Sequence, residues 1–163
     1  MNAPLRKSDT CFANEFDQLD GDYVCFMPNG LFEFARDMRN PCGAKAAAII
    51  PCRDEFGNPL DLAAWHLPTG TLATLHGAAA MLGEDQINAP QIDCDGLRVF
   101  PSPAEWLRAR RAGVVIVDAK RARWRLADRR LVVADASFGR RLRAMLRLPE
   151  PRVFVESVRE SAA

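Results

Sequence analysis

The sequence predicts an α/β domain: a small, mostly parallel sheet with crossover helices, preceded by a segment rich in β-hairpin signals. Three observations predict it. From Leu97 onward, short apolar runs alternate with stretches of helical spacing, the order expected of strand–helix–strand units. Those runs (LRVF, VVIVD, LVVAD) are continuously apolar, as strands covered on both faces are. And 163 residues with 48% apolar and 26% charged residues match one globular domain with a core of its own.

The elements follow in chain order. Residues 1–22 are polar, carry five acids and lack periodicity, so they are expected to form a loosely ordered acidic arm. A β-rich segment is expected over 23–95. It opens with the apolar stretch YVCF and the turn signal Pro28-Asn29-Gly30. LFEFARDMRN then has helical spacing at Leu31, Phe34, Ala35 and Met38, with Pro41 as its stop. AKAAAIIPCRD and DLAAWHL flank the turn EFGNPL and predict a hairpin. A third strand is expected at Thr71–Leu75 and a helical turn over Ala78–Leu82, closed by Gly83. The breaker-rich QINAPQIDCDG marks a boundary. An α/β core is then expected over 96–163. Ser102 is placed to cap a helix with Pro103 in its first turn, running to Gly113. VVIVD and LVVAD are two buried strands, with a short basic helix or loop (AKRARWRLADRR) between them. SFGRRLRAMLRL is amphipathic through Phe138, Leu142, Met145 and Leu146, and RVFVES is a final strand. No internal repeat or low-complexity stretch is visible.

Several classes are excluded or disfavoured. No apolar run approaches the roughly 20 residues that cross a bilayer, and the first residues hold no signal-peptide core, which predicts a cytoplasmic protein without a membrane partner. The five cysteines (Cys11, Cys25, Cys42, Cys52, Cys94) contain no CxxC pair. His66 and His76 stand in no zinc spacing with them, so reduced, mostly buried thiols are expected. Neither GxxxxGKS nor GxGxxG occurs, and neither histidine has a nucleophile partner. Trp65 and Trp106 are expected to be core or interface aromatics.

Net charge is +1 but unevenly spread. Residues 1–97 hold 6 Lys+Arg against 14 Asp+Glu (6 − 14 = −8), and residues 98–163 hold 16 against 7 (16 − 7 = +9). A basic half suits an anionic partner, whereas an acidic half folded back over it would cancel the charge.

Two stretches resemble the Toprim domain of phage-type and bacterial primases over about residues 45–157. The first is AAAIIPCRDEFGNPLDLAAWHLPTG with HGAAAMLGE. The second is RVFPSPAEWLRARRAGVVIVD with LVVADASFGRRLRAML and RVFVE. The resemblance implies a Toprim-like fold in which a glutamate after one strand and a D-x-D motif after a later one hold Mg²⁺. Here Pro101 and Ser102 stand where the glutamate belongs, and Ser137 replaces the second aspartate, so Asp135 alone survives of three. Glu105 and Asp118 are the residual candidates that could join Asp135 around a cation. Their bland role, for Asp118 and Asp135, is to cap the helices that follow. No cofactor is expected.

The expectation for function is therefore a non-catalytic Toprim-like accessory protein, of replication or mobile-element type, that binds nucleic acid or a nucleic-acid enzyme. The binding residues expected are Arg108, Arg111, Arg121, Arg123, Trp124, Arg125, Arg140, Arg141 and Arg143. Arginine's planar fork suits phosphate, and an indole can stack on a base. Two rivals are a residual Mg²⁺-dependent nuclease or nucleotidyl transferase, and a homodimeric protein-interaction module that binds no nucleic acid.

Overall fold

The computed structural model describes residues 19–41, 43–89 and 96–148. It corrects the predicted fold class: the described residues are mostly β, with a curled five-stranded antiparallel sheet, a small mixed four-stranded sheet and three short helices. The large sheet contains β1 (Asp20–Phe26), β2 (Phe32–Phe34), β3 (Lys45–Arg53), β4 (Pro59–His66) and β5 (Thr71–Thr74), in the order β2-β1-β3-β4-β5. Its outermost strands meet where Leu31 bridges Thr74, the Thr74 amide donating to the Gly30 carbonyl at 3.2 Å.

The hairpin of β3 and β4 follows the prediction, because alternate residues of both strands are apolar on both faces. Ala48, Ile50, Cys52, Ala63 and Trp65 point to one side, and Ala47, Ile49 and Ala64 to the other. The predicted helix at 31–38 is instead β2 followed by one 3-10 turn (Ala35–Asp37). Phe32 and Phe34 also have a period of two, and pairing with β1 settles the choice: their rings meet edge to face at 5.3 Å on one side of the strand. The expected acidic arm is shortened too, since Asp20, Gly21 and Asp22 already belong to β1; residues 1–18 lie outside the described residues.

The small sheet holds β6 (Met81–Leu82), β7 (Leu97–Phe100), β8 (Val114–Ile116) and β9 (Leu131–Val132), ordered β6-β8-β7-β9. Met81–Leu82 was expected in a helical turn but forms an antiparallel edge beside β8. β7 runs parallel to both β8 and β9. Hence, among the described residues, the strand ending near Asp135 stands at the edge beside β7, not beside Val114–Asp118 as a Toprim-like arrangement requires. The predicted strand over RVFVES lies outside the described residues.

Helix α1 (Pro103–Arg108) joins β7 to β8, α2 (Ala119–Leu126) joins β8 to β9, and α3 (Ala136–Met145) follows β9. Alternation along the short strands divides them between two cores. Leu82, Val115 and α1's Trp106 and Leu107 pack with Ile50, Cys52 and Trp65 of the large sheet. Met81, Leu97, Val99 and Val114 pack with Ala122 and Leu126 of α2 and Phe138 and Leu142 of α3. The molecule is thus layered: curled sheet, small sheet with α1 on the inner side, then α2 and α3 outside. Helices of 8 and 10 residues are marginal alone, so this packing is what holds them.

Candidate functional site

The small sheet is fastened by one acid that sequence reasoning passed over. Glu84 follows β6 and is 0% exposed. Its Oε1 accepts from the amides of Ala80 (2.6 Å) and Met81 (3.1 Å), and its Oε2 makes an ion contact with the Arg125 guanidinium at 3.0 Å, outside hydrogen-bond alignment. A buried carboxylate needs such partners, and here they tie α2 to the strand beneath it. Asp61 plays the matching part on β4, accepting from the amides of His76 (3.0 Å) and Ala78 (2.7 Å). The only signal for Glu84 was its place as the first of two acids closing the apolar tract AAAMLG.

The acids expected to matter for a metal are helix caps. Asp118 accepts from the Lys120 amide at 2.8 Å and contacts Arg121 at 3.6 Å. Asp135 accepts from the Phe138 amide at 2.6 Å and from the Ser137 hydroxyl. The Ser137 hydroxyl, the Phe138 amide and the positive charge of Arg141 hold the Asp135 carboxyl below the usual carboxylate range. The two caps end strands separated by β7, roughly 10 Å at the spacing of neighbouring strands. Glu105 lies exposed on α1, whose cap is Ser102, as predicted. Among the described residues no three His, Cys, Asp or Glu side chains gather as metal ligands.

The basic residues are brought together only in part. A groove of about 1090 Å³ runs between the end of α2, the β9 edge and α3. Its floor is apolar, with Leu126, Leu131, Val133 and Leu142. Arg123, Arg129, Arg140, Arg143 and Arg147 stand in its wall, and no Asp or Glu is among its described lining residues. Arg123 is fixed there by donating to the carbonyls of Ala119 (3.3 Å) and Arg147 (3.2 Å), which links the two helices. Gly139 keeps α3 close to the strand: a Cβ there would meet a Val133 methyl at 3.1 Å.

The other predicted binding residues are elsewhere. Arg125 is committed to Glu84, Arg121 is at the Asp118 cap, and Arg141 lies over the Phe138 ring at 5.8 Å. Arg108 and Arg111 belong to the α1 end, across the small sheet from the groove. That helix stops at Arg108 rather than at Gly113, because Arg110 and Arg111 take left-handed backbone (φ +53° and +60°). Arg111 lies over the Trp106 ring at 5.4 Å, and Trp106 donates to the Gly113 carbonyl at 2.8 Å. Trp124 stands exposed on α2.

Of the cysteines, Cys25 and Cys52 lie among the described residues, both buried and in no disulfide, as expected. Burial, reinforced by the negative charges of Asp61 and Glu84, pushes the Cys52 thiol up to about 12. His66 bonds the Thr69 hydroxyl at 2.7 Å, and burial, then the charge of Lys45, lowers its pKa. Among the described residues no helix is long and apolar enough to cross a membrane.

Fold and groove together define a two-sheet, β-rich protein with an arginine-walled cleft on its outer helical layer. No family model, no curated protein and no solved structure matches this chain.

Proposed function

We propose that the protein binds nucleic acid, with the phosphate backbone lying in the groove between α2, β9 and α3. The observation that supports this most is the composition of that groove: five arginines and an apolar floor, with no carboxylate among the described lining residues. Guanidinium groups match phosphate oxygens in a forked geometry and are weakly hydrated, so they exchange water for phosphate at little cost. Helix N-termini play no part in this reading. The amides that would serve a phosphate at α2 and α3 are taken by Asp118 and Asp135.

Affinity in such a site comes from released counterions. If all five arginines each neutralise one phosphate, binding should weaken by roughly two to three orders of magnitude between about 50 and 200 mM salt. A gel-shift or anisotropy titration of the full chain against DNA and RNA measures this. Arg140→Ala/Arg143→Ala is expected to weaken binding and to flatten the salt dependence by about two phosphates. Absence of binding to any single- or double-stranded DNA or RNA at about 50 mM salt ends this reading.

A further inference from the structure

Six large hydrophobic residues are exposed among the described residues. Four of them are 37–40% exposed, but Trp124 is at 64% and Phe56 at 81%. A tryptophan so far out of the core forfeits most of the burial free energy an indole offers, so its position asks for a partner.

The geometry of α2 fixes where Trp124 points. Ala122 and Leu126 face the core, Arg123 turns into the groove, and Arg125 turns the other way to Glu84. At about 100° per residue Trp124 lies between the two arginines and opposite the buried stripe, on the crest of the helix. Its neighbours on the outward side are Lys120 and Arg121, both exposed.

Phe56 sits exposed at the tip of the β3–β4 hairpin, in the turn that Asp54 closes. The tip is rigid: Asp54 accepts from the Phe56 amide (2.9 Å), the Asn58 amide (2.8 Å) and the Asn58 side chain (3.1 Å), and Arg53 donates to the Gly57 carbonyl (2.9 Å). It is also joined to the groove. Asn88 donates to Glu55 at 3.5 Å and accepts at 2.7 Å from Arg129, which stands in the groove wall. The charge of Arg125 is felt at Asp54 as well, as the smallest of several influences that lower its pKa, the Asn58 side-chain hydrogen bond being the largest. Asp54 is thus hydrogen-bonded within the turn and Glu55 to Asn88, and both keep their charge.

We infer that the ligand is a single strand, its phosphates in the arginine groove and its bases stacked on Trp124 and on Phe56. This rests on the nucleic-acid reading above and narrows it. A duplex keeps its base faces inside the stack, where an aromatic on a convex helix crest cannot reach them. A single strand turns its bases out and stacks them on exposed rings with little regard for sequence. A protein partner could also bury a tryptophan, but cations flank this one and the groove beside it has no acid in its described wall. That charge pattern complements a polyanion.

The test uses the full chain, a 20-nucleotide oligothymidylate and a duplex of equal length at about 50 mM salt. Trp65 and Trp106 are 6% and 3% exposed, so quenching of tryptophan emission by the single strand reports on Trp124. Trp124→Ala and Phe56→Ala are each expected to weaken single-strand binding about tenfold and to leave duplex binding within about twofold. Trp124→Phe, which keeps a stacking face, should restore most of the loss and guards against a folding defect. Arg140→Ala/Arg143→Ala should weaken both ligands. If the aromatic variants bind the single strand as tightly as the parent while the arginine variant does not, the stacking inference is overturned and the groove reading stands. If the parent binds neither ligand, both fall. If Trp124→Ala instead converts a dimer to a monomer in light scattering, with single-strand affinity unchanged, Trp124 is a protein contact and the inference is overturned.

Discussion

The curled sheet and the small sheet are made of the same kinds of residue but are held in opposite ways. In the first, strands of up to nine residues pair antiparallel, all with a sequence neighbour except where β1 also pairs with β3, and small buried residues (Ala47, Ala48, Ala63, Ala64) line both faces of the central hairpin. In the second, strands of two to four residues pair out of sequence order and depend on helices above and below. The difference teaches where the charge can go. A sheet that supports itself can be sparing with cations, whereas the helices that cover the small sheet have an outer face to spare, and the arginines occupy it.

The sharpest way to break that contrast is at the joint. Glu84→Ala should leave two buried amides without acceptors and the half-exposed Arg125 without its counter-ion, a loss of about 2–4 kcal/mol in urea denaturation, most of it from the amides. If the small sheet depends on this tie as described, hydrogen exchange should rise first at β6, β8 and α2, with β3 and β4 still protected. Uniform exchange across both sheets would mean that they unfold as one unit and that the contrast is not energetic.

A second experiment addresses the large sheet. The Cys52 thiol ionises near 9 when unfolded but is raised to about 12 in the fold, so the folded state holds the proton that the unfolded state gives up. Its contribution is complete below pH 9 and is lost as pH rises toward 12, by about 1.4 kcal/mol per pH unit at most. Stability measured at pH 8 and pH 10.5 should fall less in Cys52→Ala than in the parent. The parent's Cys52 peptide should also resist alkylation at pH 8 until denaturant is added.

The smallest effect is expected at the outer layer. The Asp135 carboxyl is held low by Ser137 and Phe138, so its stabilisation is present above the ordinary aspartate range and is lost as pH falls through the depressed folded value. Asp135→Asn keeps a cap and should flatten acid unfolding only slightly, while Asp135→Ala should lower the midpoint of thermal unfolding at pH 7. Equal midpoints in the two variants would mean that α3 is held by Phe138 and Leu142 alone.

Much of the local structure was legible in the residues. The hairpin around EFGNPL, the Ser102 cap, and the alternation of strand and helix from Leu97 to Met145 all appear where spacing and turn chemistry placed them. What was not legible is non-local. LFEFARDMRN carries both a period of two and a helical spacing, and only β1 alongside selects the strand. The order β6-β8-β7-β9 cannot be read from strands so short, because nothing in LVV or VVI names its neighbour. That order is what moves Asp135 to an edge, away from Asp118, and removes the Toprim-like arrangement. The groove was half legible: Arg123, Arg140 and Arg143 were expected to bind, while Arg129 and Arg147, in the same arginine-rich stretches, were not singled out and join them once α2 and α3 lie together.

The bridge between Leu31 and Thr74 has a further consequence. By touching, the outermost strands of the curled sheet cover part of each other's unpaired peptide groups. A flat sheet of the same sequence would offer both rows in full as templates for another chain, and the curl withdraws them at that end. One stretch of open edge is thereby withdrawn from pairing with another chain, independently of the surface charge.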